Sequence, residues 1–435
     1  MKTLVIILLS IVAIIVFSTI LTVNRKRGDV LTIAGSLFAF SVYYCIVPIV
    51  ALLAMDGTNK LDGYLESLIK ASGVDYARMF FCFFLFLGSL LLSYNHYYKK
   101  NYNRVIVLRK FQKSIKFWTW FTFIVGGLSF ILYAYSFGGF VKLIAYAEMM
   151  RSFAVDKSTM FTGRSYILVV PSRLITVAAI LFFLYLKFVK KNKVTIACLI
   201  ISLVLSFLFY LSNAGKTGVL TFGICFIVPL LSYKFKHEWL MTIALGVVGV
   251  GIINYIDALF VYLATDEFVL EAGDGVLPTL KQFAYPISNV LNLEGISGVS
   301  GFRYGQDFIT GVLNLIPGVN FSTSTEPTSF FYGGDDWHTT GGTPNDIITY
   351  GYLEFGYLGV ILMGCLLGSI CAVIDRCLKS LNDSFAEKTL KCSLILLFFL
   401  VMISADTVSI VREQFLLTVL SICVISSSRK IKLSR

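Results

Sequence analysis

Apolar runs of roughly the length that crosses a lipid bilayer recur eleven times along the chain, at 3–23, 30–54, 76–97, 117–137, 166–186, 194–211, 217–233, 239–262, 347–374, 392–405 and 411–427. A helix built from such a run is apolar on every side, and so many of them have no home in a water-soluble domain. Of the 435 residues, 57% are hydrophobic and only 14% are charged, with a mean hydropathy of +0.80. Lipid is therefore the solvent for most of the chain. The expected fold is an all-α polytopic membrane protein, a single integral domain over 1–435 with about 11 transmembrane helices. Two polar intervals stand out, a long one at 264–346 and a shorter one at 138–165.

Lys and Arg set the expected orientation, because basic loops stay in the cytoplasm. Alternating loops carry the groups Arg25 to Arg27, Lys99 to Lys116, Lys187 to Lys193, Lys234 with Lys236, Arg376 to Lys391 and Arg429 to Arg435. These loops hold 24 of the 37 basic residues and 5 of the 25 acidic ones. The N-terminus is thus expected outside, the C-terminus inside, and both polar intervals outside. The net charge of +12 follows from this topology, so no nucleic-acid partner is needed to explain it. The first run is too long for a cleaved secretory signal and its positive charges follow it, so it reads as a retained helix. All nine cysteines fall in spans or at their cytoplasmic ends, which indicates no disulfide framework.

Within 138–165, Val141, Ile144, Ala145 and Met149 recur at helical spacing before Arg151, which predicts a helix lying on the membrane surface. A second surface helix is expected where Phe308, Ile309, Val312, Leu313, Leu315 and Ile316 follow Asp307 and precede Pro317. Tyr304, Phe330, Phe331, Tyr332 and Trp337 add aromatic surface, suited either to an interfacial belt or to stacking against sugars. The segment Ser212 to Gly218 resembles a phosphate-binding loop only in part. Tyr210 stands where that motif needs glycine, which leaves a turn carrying Lys216. Gly364 and Gly368 have the spacing that lets helices approach closely.

Charges at the outer side of a membrane protein carry most of the functional signal. Arg151, Arg164, Arg173, Arg303 and Arg412, with Lys216 nearby, point to an anionic ligand, and the planar fork of arginine suits a phosphate or diphosphate. Arg173 follows Pro171, an expected helix irregularity, deeper in its span than Arg164. The competing reading is snorkelling, or pairing with Asp257, Asp406 or Glu413. His338 is the one histidine on the outer side, since His96 and His237 fall to the cytoplasm. Among Asp335, Asp336 and Trp337 it is a candidate general base, with Glu354 as a further candidate. The adjacent Asp335 and Asp336 lack the aspartate-any-aspartate spacing of metal-dependent nucleotide-sugar enzymes, so no metal or other cofactor is expected.

Two stretches then carry a family likeness: Arg303-Tyr304-Gly305 running to Ile316-Pro317, and Glu354-Phe355-Gly356-Tyr357-Leu358-Gly359 running to Gly368. With the many spans and the outer arginines they resemble the bacterial O-antigen polymerases, the Wzy-type repeat-unit polymerases. The arginine-ten-residues-glycine motif of some members is absent: Gly163 overshoots it after Arg151, and Asn314 stands in its place after Arg303. The resemblance implies a GT-C-like helical fold in the bacterial inner membrane. It implies a glycosyltransferase that moves a growing glycan from its undecaprenyl diphosphate carrier onto a new lipid-linked repeat unit, alongside membrane lipids and a possible chain-length regulator. On this reading His338, Arg173, Arg303 and Arg412 are catalytic. Arg151, Arg164, Lys216, Tyr304, Asp335, Asp336, Trp337 and Glu354 bind substrate. A ligase that passes glycan to a lipid A core, or a lipid-linked oligosaccharide flippase, is the alternative.

Overall fold

The structure is a computed structural model that describes residues 40, 43–44, 67–68, 70–99, 108–147, 168–212, 218–219, 222–227, 255, 262, 285–313, 327, 330–331, 343–378, 385–405 and 415–427. Every element among them is helical: α1 (Gly73–Lys99), α2 (Leu108–Ser136), α3 (Phe140–Ala145), α4 (Val169–Ser172), α5 (Leu174–Phe188) and α6 (Lys193–Ser212) come first. After them come α7 (Tyr285–Leu291), α8 (Leu293–Ser300), α9 (Gln306–Leu313), α10 (Ile347–Leu378), α11 (Phe385–Ile403) and α12 (Phe415–Ser427). Five stretches of helix among the described residues are long and apolar enough to cross a membrane: Gly73–Tyr98, Arg109–Ser136, Val169–Phe188, Lys193–Ser212 and Ile347–Leu378. The expected runs at 3–23, 30–54, 217–233 and 239–262 lie wholly or largely outside the described residues.

Side chains sort by neighbour as a lipid solvent requires. Almost all of α5 is buried, which makes it a central post against α2, α6, α11 and α12. The interruption expected near Pro171 is present: α4 ends at Ser172, and α5 starts after Arg173. Gly126 lets α2 pass so close to α5 that an added Cβ would collide with the backbone of Ile175. Trp120 and Phe123 then meet Phe182 further along, so α2 and α5 run antiparallel. On α10 an outer stripe of Leu358, Leu362, Leu366 and Ile370 is exposed, an apolar surface suited to lipid. The opposite face closes on α1. Added Cβ atoms would strike Ser89 and Phe86 from Gly364, and Leu90 from Gly368, while Ser93 Oγ donates to the Cys365 carbonyl at 2.9 Å. Close packing, rather than hydrophobic exclusion, holds helices together in lipid, and these two glycines provide it as their spacing predicts.

The segment around α3 forms a short helix in which Leu143 and Ala147 are buried, Leu143 in the cluster with Phe130, Tyr133 and Phe209 of α2 and α6. Val141 and Ala145 are exposed, on the side that a helix lying on a membrane surface turns to lipid, while Met149 and Arg151 lie outside the described residues. One expectation is corrected: the run at 347–374 is not one straight span. Phe355 and Gly356 leave helical geometry, Gly356 with φ +60° and ψ −145°. The limb 347–354 folds back so closely on the limb 357–378 that a Cβ on Gly359 would collide with the Gly351 carbonyl. The first limb is about 12 Å long, too short to cross, whereas the second, at about 33 Å, spans.

The Gly364 and Gly368 contact gives a direct test. Replacing either with leucine is expected to push α1 and α10 apart and to lower the unfolding temperature in detergent or abolish folded protein. Gly88→Ala, where a Cβ meets nothing within 4 Å, should leave stability unchanged or raise it by about 0.5–1 kcal/mol. Equal melting curves for all three variants would refute the close-packing role.

Candidate functional site

The break in α10 leaves backbone carbonyls without their helical donors, and in a membrane such groups must be satisfied from within the protein. The turn before α9 supplies the donors. The Arg303 N–H donates to the Leu353 carbonyl at 2.9 Å, and the Tyr304 N–H donates to the Glu354 carbonyl at 3.0 Å. The Gly305 N–H then donates to Glu354 Oε2 at 2.6 Å. The turn is strained to fit. Tyr304 has φ +51°, the one positive φ among the described non-glycine residues, and Gly305 follows at +86°. A tyrosine in that region is held there by its surroundings.

This interlock brings three of the expected site residues together: Arg303, Tyr304 and Glu354. The Arg303 guanidinium pairs through Nη1 with Asp307 Oδ1, one helical turn on, and Asp307 is buried. The expected partners Asp257, Asp406 and Glu413 lie outside the described residues. Arg303 also stands at the C-terminal end of the 347–354 limb, where the helix dipole favours a cation. Tyr304 is 72% exposed, and its ring lies near Phe302 and Phe355 at 6.2 and 6.4 Å. Glu354 is only 1% exposed; Gly305 holds its Oε2, and its buried Oε1 has no hydrogen-bond partner. It therefore shapes the turn that presents Arg303 and Tyr304, rather than offering an open carboxylate to a ligand.

The surface helix expected after Asp307 is present as α9, with an instructive orientation. Asp307 and Gly311 face the protein, whereas Ile309 and Val312 are exposed, the arrangement of a helix resting against lipid. Arg173 belongs to another part of the bundle, between Val169 and Ile175 of the second hydrophobic cluster. His338, Asp335, Asp336, Trp337, Arg151, Arg164, Arg412 and Lys216 lie outside the described residues.

The sequence reading missed a second polar group, at the other end of the short limb. Asp346 caps that limb: its Oδ1 accepts the N–H groups of Ile348 and Thr349 at 3.0 and 3.2 Å and the Tyr44 hydroxyl at 2.6 Å. Asn345 and Asn289 are buried beside it, tied in by Ala405 N–H to the Asn345 carbonyl at 2.6 Å and by Asn289 Nδ2 to the Pro344 carbonyl at 3.0 Å. Both side-chain polar atoms of Asn345 and the Oδ1 of Asn289 are buried without a partner. A cap signal was present in the sequence, since Pro344-Asn345-Asp346 directly precedes an apolar run. Nothing in it signalled the burial of α7, which was read as part of an outer loop.

Comparison with known protein families, with curated proteins and with solved structures returns no match to this chain.

The strain at Tyr304 is testable. Tyr304→Gly relieves a left-handed tyrosine and is expected to hold or raise stability by about 1 kcal/mol, read as an unchanged or higher melting temperature. A marked fall would show that the exposed ring, rather than the backbone bonds, secures the turn.

Proposed function

We propose that the chain polymerises undecaprenyl-diphosphate-linked oligosaccharide repeat units into a surface polysaccharide on the outer face of the bacterial inner membrane. The proposal includes eleven crossings, a GT-C-like arrangement, and the orientation given by the loop charges. One observation carries it: Arg303 and the strained, exposed Tyr304 are clamped together at the mouth of a broken membrane helix. That face is the one the basic loops leave outside. Here a cation meets a ring able to stack on sugar, at the level where a lipid-linked substrate would present its diphosphate and first sugars.

The chemistry follows from what is available there. Nucleotide sugars are absent outside the membrane, so the departing lipid diphosphate must drive glycosidic bond formation. A base takes the proton of the acceptor hydroxyl, whose oxygen attacks the anomeric carbon. The bond from that carbon to the diphosphate oxygen breaks, and its electron pair stays on the diphosphate. Arg303 stabilises the charge that develops there. Arg173 and Arg412 remain candidates for the same diphosphate, and Arg151, Arg164 and Lys216 for the second lipid. His338 is the proposed base, with Asp335, Asp336 and Trp337 around the acceptor. Glu354 is a positioning residue.

The lipid-linked oligosaccharide flippase remains as a second reading, favoured by one specific observation. A half-helix capped by Asp346, beside the partnerless Asn345 carboxamide and the Oδ1 of Asn289, is the kind of discontinuous element on which transporters build their sites.

Reconstitution in vesicles with synthetic lipid-linked repeat units separates these readings. A polymerase yields a ladder, whereas a flippase moves substrate across without lengthening it. In cells, loss of a polymerase leaves single-repeat caps, and loss of a ligase leaves none. Arg303→Lys keeps the charge but loses forked hydrogen bonding. One charge-assisted bond is worth roughly 1.5–3 kcal/mol, so the rate should fall about tenfold to a hundredfold. His338→Ala should abolish elongation, and Lys110→Arg should change nothing. Glu354→Gln, which still accepts from Gly305, should retain most of the activity that Glu354→Ala loses. Wild-type ladders from both Arg303→Lys and His338→Ala would overturn the proposal. A cysteine placed at Ser324 should react with an impermeant reagent from outside intact spheroplasts; protection there would overturn the topology.

A further inference from the structure

At the same end of the bundle as the Arg303 turn, the start of α1 and the junction of α7 and α8 line an open cavity of about 300 Å³. Its wall includes Ser67, Lys70, Asp75, Asn292, Phe330 and Phe331. We propose that this cavity is a saccharide subsite that holds one sugar ring of the oligosaccharide while the Arg303 turn engages the diphosphate. The assignment rests on the reading of the chain as a glycan polymerase.

The lining matches that ligand in three ways. A volume of this size stands at the small end of ligand pockets, enough for a compact polar ring and too little for a polyprenyl tail. Two aromatic rings, 5.1 Å apart and edge to face, offer apolar faces to the C–H side of a sugar. Serine, lysine, aspartate and asparagine offer paired donors and acceptors to its hydroxyls. With one cation and one carboxylate the wall is balanced in charge, which favours a neutral ligand over a phosphate.

The cavity is also built rather than incidental. The Asp75 carboxylate accepts the Ser72 N–H at 2.8 Å and the Ser72 hydroxyl at 2.7 Å, which fixes it at the start of α1. Asn292 Nδ2 donates to the Ser288 carbonyl at 2.8 Å, which fixes the plane of its carboxamide. Phe330 lies where α8 has Gly295, and a Cβ there would come within 2.5 Å of the ring. A link to the reaction site runs through α1. Arg78, one turn beyond Asp75, pairs with Glu294 of α8 at 2.6 Å. From Phe81 an aromatic series of Tyr357, Tyr352 and Phe302 then leads to Tyr304, with centroid steps of 5.3–6.2 Å.

The test uses the full chain in nanodiscs. As soluble probe it takes the repeat-unit oligosaccharide released by mild acid from the lipid carrier of the source cells, with binding read by saturation-transfer NMR and titration. Wild type is expected to bind it. Phe330→Ala, and Gly295→Ala, which drives a methyl group into the Phe330 ring, should weaken binding by about tenfold or more, about 1.4 kcal/mol. In the polymerisation assay they should raise KM while leaving kcat near wild type. Lys70→Gln alters an exposed side chain, and it should weaken binding without changing the melting temperature, which guards against a merely misfolded variant. Arg303→Lys should bind the soluble oligosaccharide normally and lose kcat. If the probe binds and the pocket variants lose it while no preparation extends lipid-linked units, the pocket stands and the polymerase reading falls. If wild type fails to bind the probe, or stable pocket variants bind it as wild type does, the subsite is wrong even where Arg303→Lys slows elongation.

Discussion

A helix cannot stop in lipid unless something else takes up its open backbone groups, and one end of this bundle is arranged around one such stop. At Phe355 and Gly356 the chain leaves helical geometry, and the carbonyls of Leu353 and Glu354 receive the N–H groups of Arg303 and Tyr304 instead. The other end of the same limb is satisfied by the Asp346 carboxylate. Each buried polar group left without a partner would cost about 1–3 kcal/mol, so the limb exists only with both attachments. Gly351 and Gly359 then let it lie against the spanning limb at backbone distance. The strained backbone of Tyr304, the buried carboxylate of Glu354 and the placement of Arg303 all follow from that stop.

The same construction explains how charge is tolerated at the membrane boundary. Arg303 is not a lone cation. Asp307, buried one helical turn away, engages one of its nitrogens and orients the guanidinium. A guanidinium has five N–H donors, and the Asp307 pair is made through Nη1. Arg78 is handled differently: it bridges Asp75 on its own helix and Glu294 on α8. With Glu294 largely exposed, that pair adds at most about 1 kcal/mol. Its use is to tie α1 to α8 at the level of the break.

What the sequence makes legible follows from which physical effects leave a periodic trace. Crossing helices do, through hydropathy, and the runs at 76–97 and 194–211 agree with α1 and α6 to within three residues at each end. Gly364 and Gly368 do as well, because close approach demands small residues at four-residue spacing. The break at 355–356 leaves no such trace, since the apolar run continues through it and a lone Glu-Phe-Gly is common. The inward burial of Ser288, Asn289, Asn345 and Asp346 is equally silent, because polar residues between apolar runs read as loop. At α3 the periodicity of the exposed Val141 and Ala145 was visible, whereas the packing of Leu143 with Phe130 and Phe209 was not. For the site, Arg303, Tyr304 and Glu354 could each be singled out by type, but the N–H groups that join them could not.

Helix directions add a constraint that hydropathy alone does not supply. Along α1 and the spanning limb of α10 the contacts advance together, from Phe81 with Tyr357, through Ser93 with Cys365, to Tyr94 with Asp375. The two helices therefore run parallel, and an odd number of crossings must separate them. The described helices between them supply three: α2, the α4–α5 unit antiparallel to it, and α6, which meets α5 antiparallel where Ser206 donates to the Ile175 carbonyl. The 347–354 limb, about 12 Å long, folds back on the spanning limb and adds no crossing of its own. That fold-back lets the spanning limb start at the level of Phe81 and run alongside α1, so that Gly364 and Gly368 meet Ser89 and Leu90.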